Sequence, residues 1–319
     1  MNLRQATGVT AALIALASLP LAGNDYLATL AIEILIWGTF VSGVNLLLGY
    51  TGLVPLGNAM FVGLGAYSYA ILVKVLGFPI FAGFAVAVAG VALFALVIGA
   101  VCTRTREVEF LLITLAFCQM FYGAAMKLKL TGGSDGMTGL PRPNVEWLGI
   151  HSDTTTGFYI IVLIISAGML AFLWRITQSP FGSVLVGIRE NERRLESMGY
   201  QTSLYKTIAF AVAALFAGVA GVLTAQYTYF INPEMMTWQV GGEAILMVLM
   251  GGRKHLFGAF LGAAIFVLAK QALSAVTQNY MIFFGLFFML VVAFLKDGAL
   301  GLLDNLWNRL NGRQRPAHT

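Results

Sequence analysis

Ile80-Phe81-Ala82-Gly83-Phe84-Ala85-Val86-Ala87-Val88-Ala89-Gly90-Val91-Ala92-Leu93-Phe94-Ala95-Leu96-Val97-Ile98-Gly99-Ala100-Val101-Cys102 is an unbroken apolar run without a charge. A helix rises 1.5 Å per residue, so about 20 residues cross the ~30 Å of hydrocarbon in a bilayer, and this run is long enough. Nine further apolar segments flank it, at approximately 9–22, 28–48, 59–76, 110–127, 157–174, 207–230, 240–250, 257–275 and 281–296. The segment 240–250 is too short to cross alone. It is either broken or re-entrant, or it joins flanking residues to span. A β-barrel would show ~10-residue alternating strands, and these runs are continuous. The expected fold is all-α: a polytopic membrane helical bundle of about 8–10 transmembrane helices, some of them interrupted by Gly or re-entrant.

Composition agrees. The 319 residues are 59% hydrophobic and 10% charged, against roughly 25% charged in soluble domains. The 36 glycines suit membrane helices, where small residues let backbones approach closely. Cys102 and Cys118 lie in or beside apolar runs and read as buried free thiols. His151, His255 and His318 have no ligand spacing, so no metal site is expected. The stretch 9–22 after Arg4 has the outline of a secretory signal peptide. Its length and the spans that follow favour a short first membrane helix. Residues 1–319 read as a single transmembrane domain. No Gly-x-x-x-x-Gly-Lys-Ser/Thr pattern is present, so any ATP would be bound by another chain, and neither catalysis nor a cofactor is expected.

Basic residues in short loops set orientation. With the N-terminus in the cytoplasm, Lys74, Lys127, Lys129 and Arg142 fall outside and Lys270 within a span; the other fourteen of the nineteen Lys and Arg fall inside. This predicts cytoplasmic N- and C-termini. The net charge of +5 then follows from topology and contact with anionic lipid, with nothing to suggest nucleic acid. Two loops are long enough for function: an outer one at 128–156, rich in Gly, Thr and Pro, and a charged cytoplasmic one at 175–206.

Within the cytoplasmic loop, Ser179 suits an N-cap and Pro180 a first helical position. Gly199 suits a left-handed stop. Phe181, Leu185, Ile188 and Leu195 fall near one face, and Glu190 and Arg194 form an i,i+4 pair on another. Such a short amphipathic helix either lies on the bilayer surface or docks on a cytoplasmic partner; its mixed charge favours the partner.

At this loop the chain resembles the branched-chain amino acid ABC permeases of the Liv type, and among them the M-like subunit. The residues concerned are Gly187-Ile188-Arg189-Glu190-Asn191-Glu192 and Met198-Gly199-Tyr200. Three further stretches agree: Gly49-Tyr50-Thr51-Gly52-Leu53-Val54-Pro55-Leu56-Gly57 leading into Phe61–Tyr67, Thr131-Gly132-Gly133-Ser134-Asp135-Gly136-Met137-Thr138-Gly139, and Gly242-Glu243 leading to Gly251-Gly252 and Leu256-Phe257-Gly258-Ala259. The chain departs at Pro55 and Asn58, where the family often carries Ser and His, and at the basic Arg253-Lys254-His255. The resemblance implies an inner-membrane permease forming half of a path, paired with a second permease subunit. It also implies two cytoplasmic ATPase subunits and a periplasmic solute-binding protein. Gly187, Arg189, Glu190, Asn191, Glu192 and Gly199 would couple to an ATPase, and Thr131, Gly132, Gly133, Ser134, Asp135 and Gly136 would form the outer loop.

The residues themselves suggest where a path runs. Gly49, Gly52, Gly57, Gly63 and Gly65 interrupt one pair of segments, and Gly241, Gly242, Gly251, Gly252 and Gly258 another; paired interruptions point to a solute route, with Asn58 on it. Plain close packing by small residues explains each glycine equally well. Glu33, Glu243 and Lys270 are ionisable residues within spans, and such residues are costly unless they serve a purpose. An internal Glu–Lys pair and an outer docking or gating role both fit. None looks placed to hold an ionised solute tightly. The expected solute is a branched-chain amino acid; urea, a short amide or another small organic solute is the alternative, as is a transporter that works alone. No intramembrane enzyme motif appears.

Overall fold

The computed structural model describes residues 25–105, 107–143, 154–253 and 256–276, with isolated positions beyond. The expected segment 9–22 lies outside the described residues and 281–296 almost wholly so. Helix α1 covers Asp25–Asn45 and continues as a wider, π-type turn to Thr51. After Gly52 and an irregular stretch, a short 3-10 turn, Leu56–Asn58, opens α2 at Ala59–Ala70, which also ends in a wide turn, Ile71–Val75. Then follow α3 (Ile80–Cys102), α4 (Glu107–Lys127), α5 (Thr155–Thr177), α6 (Pro180–Ser197), α7 (Thr202–Thr228), α8 (Trp238–Gly251) and α9 (Gly258–Val276). Two two-residue strands, β1 (Met137–Thr138) and β2 (Phe230–Ile231), pair antiparallel. Among the described residues seven helical stretches are long and apolar enough to cross a membrane, and α8 is shorter.

Burial orders the bundle. In α7 78% of the most apolar window is buried, against 22% in α4, so α7 is the central post and α4 lies at the rim. Lipid is as apolar as Leu, so packing rather than water exclusion holds such helices together. Small residues make the close contacts. A Cβ on Gly221 would run into the Val62 carbonyl, and one on Gly65 would lie 2.5 Å from the Gly218 carbonyl. Glycine at these positions is what allows α2 and α7 to cross backbone to backbone. Beside the crossing, Phe210 packs edge-on against Phe61 and Phe110, at 5.4 and 5.8 Å between centroids.

The loops sort into two ends. At one, Arg189 of α6 bonds Gly49, Gly49 approaches the Arg253 carbonyl, and the Thr103 hydroxyl meets that of Thr207 at 2.7 Å. At the other, Lys74 donates to the Thr138 carbonyl, and β1 pairs with β2. There Arg142 donates to the Gln226 carbonyl at 3.0 Å, and its guanidinium lies over the rings of Phe158 and Tyr229, 4.3 and 4.4 Å away. This is the alternation the sequence predicts.

Candidate functional site

Two membrane segments are broken, and their breaks meet. The first climbs from Gly52 (φ 77°) through Leu53 and Pro55 and becomes helical only at Leu56–Ala59. The second leaves β2, passes through Asn232 and the 3-10 turn Pro233–Met236, and becomes α8 at Trp238. The short segment of the sequence is therefore a 14-residue helix, about 21 Å long and too short to cross alone, preceded by irregular chain. Irregular backbone at membrane depth survives only where protein satisfies it. Here the Cys118 thiol donates to the Met236 carbonyl at 2.8 Å. Gly63 has no side chain to displace Met236, and Gly241 lies against the Leu56 carbonyl. Gly57 presses on the Thr114 carbonyl in the same way. Asn58, fully buried, finds no hydrogen-bond partner among the described residues for either end of its amide.

At the α6 end the sequence motif divides in two. Arg189 folds back so that its guanidinium donates to the Gly49 carbonyl and its stem lies 3.1 Å from where a Gly52 Cβ would be. Glu192, only 30% exposed, holds the 4%-exposed Lys206 of α7 at 2.6 Å, the one ion pair among the described residues. The Thr202 hydroxyl lies 3.0 Å from both the Glu192 and the Glu196 carboxylates. Glu190, Asn191, Arg193 and Arg194 are exposed. A reversed charge at Glu192 would therefore strain the bundle by setting two cations together at Lys206.

Other details of α6 differ as well. Ser179 does not cap; its hydroxyl donates to the Ile176 carbonyl at 2.6 Å. Asn191 leaves helical geometry (φ −161°, ψ 93°), and its side chain accepts from the Arg194 N–H at 3.1 Å, starting a second short helix. That break takes Glu190 and Arg194 out of i,i+4 register, and no pair forms. Pro180 does open the helix, and Gly199 turns left-handed at φ 89°. Leu185 and Ile188 are buried, Phe181 stacks on Tyr205 at 5.6 Å, and Leu195 rests over Gly187, 2.9 Å from a Cβ placed there.

In the loop after α4 Thr131 is buried, and its hydroxyl closes the end of α4 on the Ala125 and Leu128 carbonyls, at 2.6 and 2.7 Å. Gly132, Gly133 and Gly136 have positive φ, and a Cβ on Gly136 would meet the Ile231 carbonyl. The start of the loop is thus tied back to the end of α4 and its part at 136–139 to β2 and its flank, while Ser134 and Asp135 remain exposed. Gly251 abuts Gly258 and Gly252 turns at φ 105°, joining α8 to α9. Glu33, Glu243 and Lys270 stand half-buried on α1, α8 and α9, which pack together.

The sequence model of the family described as branched-chain amino acid transport system / permease component matches residues 26–293, nearly all of the bundle. The chain belongs to this permease family. It is 25% identical over 305 residues to the high-affinity branched-chain amino acid transport system permease protein LivM of Salmonella typhimurium, covering 87% of this chain and 70% of that one. The LivM protein of Escherichia coli is equally similar, 25% over 300 residues with the same coverage. The permease protein LivH of Escherichia coli is 28% identical over 153 residues, covering 46% of this chain and 49% of its own. No solved structure matches the chain.

Lys206 and Thr202 were not visible as functional residues in the sequence, where Lys206 counts only as a loop charge. The available signal was a lysine followed within one residue by more than twenty residues without a charge. Asn232–Thr237, the irregular half of the second break, reads in sequence as an ordinary connection between spans.

Proposed function

We propose that this permease is one half of the translocation unit of an ATP-driven importer for branched-chain aliphatic amino acids. Its N-terminus and α6 lie in the cytoplasm, it pairs with a second permease subunit on two ATPase subunits, and a periplasmic binding protein delivers the solute. The observation that carries this reading is the family match across 26–293 together with α6. That helix offers Glu190, Asn191, Arg193 and Arg194 to a partner while Arg189 and Glu192 grip α1 and α7.

The geometry supports a mechanism. A push on α6 by a closing ATPase pair passes through Arg189 to Gly49 and Gly52, and through Glu192 to Lys206. Gly52 begins the first broken segment, so the push reaches the junction with the second. Asn58 sits there with an unsatisfied buried amide, which raises the energy of this arrangement relative to one that supplies a partner. The junction is therefore where the bundle rearranges most cheaply. In the outer loop, exposed Ser134 and Asp135 are what a binding protein would meet.

Uptake of labelled leucine into vesicles carrying the complete set of subunits tests the reading. ATP- and binding-protein-dependent leucine accumulation is the expected result. Uptake of urea or a short amide with leucine ignored would overturn the solute. Reporter fusions after Thr131 and after Arg193 should read outside and inside respectively; the same side for both would overturn the orientation.

A further inference from the structure

Three packed helices bring three ionisable groups to within one helical turn of a common level. Trp37 of α1 and Phe266 of α9 meet with ring centroids 6.1 Å apart. The two helices run antiparallel, since Gly49 lies near Arg253 and Gly38 near Phe260. Glu33 is one helical turn before Trp37 and Lys270 one turn after Phe266, so both stand one turn further toward the outer-loop end, side by side. On α8, Met247 lies against Gly262; one turn on, in opposite chain directions, Glu243 comes level with Phe266, a turn below Lys270. Burial acts most strongly on both carboxylates, and Lys270 is near enough to attract each of them. Yet no carboxylate among the described residues comes within 4.0 Å of its ammonium. Charges held apart at membrane depth are costly unless water or a ligand completes them. This face is also open within the chain: a Cβ on Gly242, next to Glu243, would meet nothing within 4 Å, and Gln239, one turn before Glu243, is exposed.

We propose that Lys270, Glu243 and Glu33 form a transient seat for the zwitterionic head of an aliphatic amino acid in the outer half of the path, an inference that rests on the amino-acid reading above. The Lys270 ammonium takes the solute carboxylate. Glu243 takes its α-ammonium. Glu33, level with Lys270 on the neighbouring helix, balances its charge across the gap. Leu246, one turn below Gly242, and Trp37, one turn below Glu33, are half-buried and offer apolar surface to the aliphatic side chain. Such a seat departs from the sequence expectation that no fixed charge is placed to hold an ionised solute. Gaps rather than closed ion pairs suit a weak site, which conduction requires so that the solute can leave.

The test is binding of tritiated L-leucine to the complete permease–ATPase complex in nanodiscs, without binding protein. Its competitors are isocaproate, which is leucine without the ammonium, and isoamylamine, which is leucine without the carboxylate. On the native complex leucine should outcompete each by about tenfold, one charge-assisted hydrogen bond's worth. K270Q should abolish the advantage over isoamylamine, E243Q the advantage over isocaproate, and K270R should keep leucine binding. Parallel weakening of all three ligands would mean a merely structural role and overturn the proposal. So would unchanged ranking in the variants, or leucine uptake by a native complex that binds no leucine. If the complete system takes up no leucine at all, the transporter reading itself fails. Should K270Q not assemble, E243Q carries the test with Lys270 and Glu33 intact.

Discussion

Replacing Glu192 by Gln keeps its shape and removes its charge. Lys206 has only 4% of its side chain exposed, and its ammonium lies 2.6 Å from Glu192. Removing one partner of a buried pair costs about 3–5 kcal/mol, because the other charge is stranded. Glu192 is 30% exposed, so water reaches that side, and Glu196 shares the Thr202 hydroxyl; the penalty therefore falls to about 1–3 kcal/mol. K206M leaves the carboxylate at the wetter position, still bonded to Thr202, and costs less. The double variant E192Q/K206M strands no charge and should return to within ~1 kcal/mol of the native protein, since apolar replacement of a buried pair is often neutral. A double-mutant cycle on thermal unfolding of the purified complex should thus show a coupling energy of about 1–3 kcal/mol. In the same preparations, solute-stimulated ATP hydrolysis should drop in all three variants, including the stable double one, because α6 is no longer pinned to α7. A double variant that is stable and fully stimulated would refute the role of this pair in coupling. An E192Q protein as stable as the native one would refute the energetic argument.

At the crossing of α2 and α7, G221L must push the helices apart, because even a Cβ collides with the Val62 carbonyl. Overpacking of this kind should cost at least ~2 kcal/mol, read as loss of the folded fraction on thermal unfolding in detergent. In the outer loop, G132A places a side chain at φ 77° and against the Gly136 carbonyl. The left-handed conformation alone costs roughly 1–2 kcal/mol, so limited proteolysis should cut between 128 and 140 faster and uptake should fall, while co-purification with the other subunits stays normal.

Much of this arrangement is legible in the residues alone. The run at 80–102 had to be a membrane helix, because a chain in lipid must satisfy its backbone within the segment and 23 apolar residues reach across. Pro180 and Gly199 delimit α6 through local dihedral constraints, one ring-locked and one left-handed, and such constraints are written in single residues. Basic residues sorted the loops into two sides because the bias is a property of the loop itself.

What the tertiary structure decided is whatever depends on a neighbour distant in sequence. The breaks at Gly52–Asn58 and Asn232–Thr237 persist because remote elements pack against and bond them: Cys118 against Met236, Leu56 against Gly241. Neither partner is visible from the other's surroundings in the chain. Arg189 and Glu192 look like outward charges on an amphipathic helix. The Arg189 side chain stays exposed but its guanidinium reaches back to the Gly49 carbonyl, and Glu192 turns toward the buried Lys206 ammonium. Glu33, Glu243 and Lys270 are single charges in three separate segments, and only the packing of α1, α8 and α9 brings them within a helical turn of one another, since helix register across a contact is set by interlocking surfaces and not by local propensity.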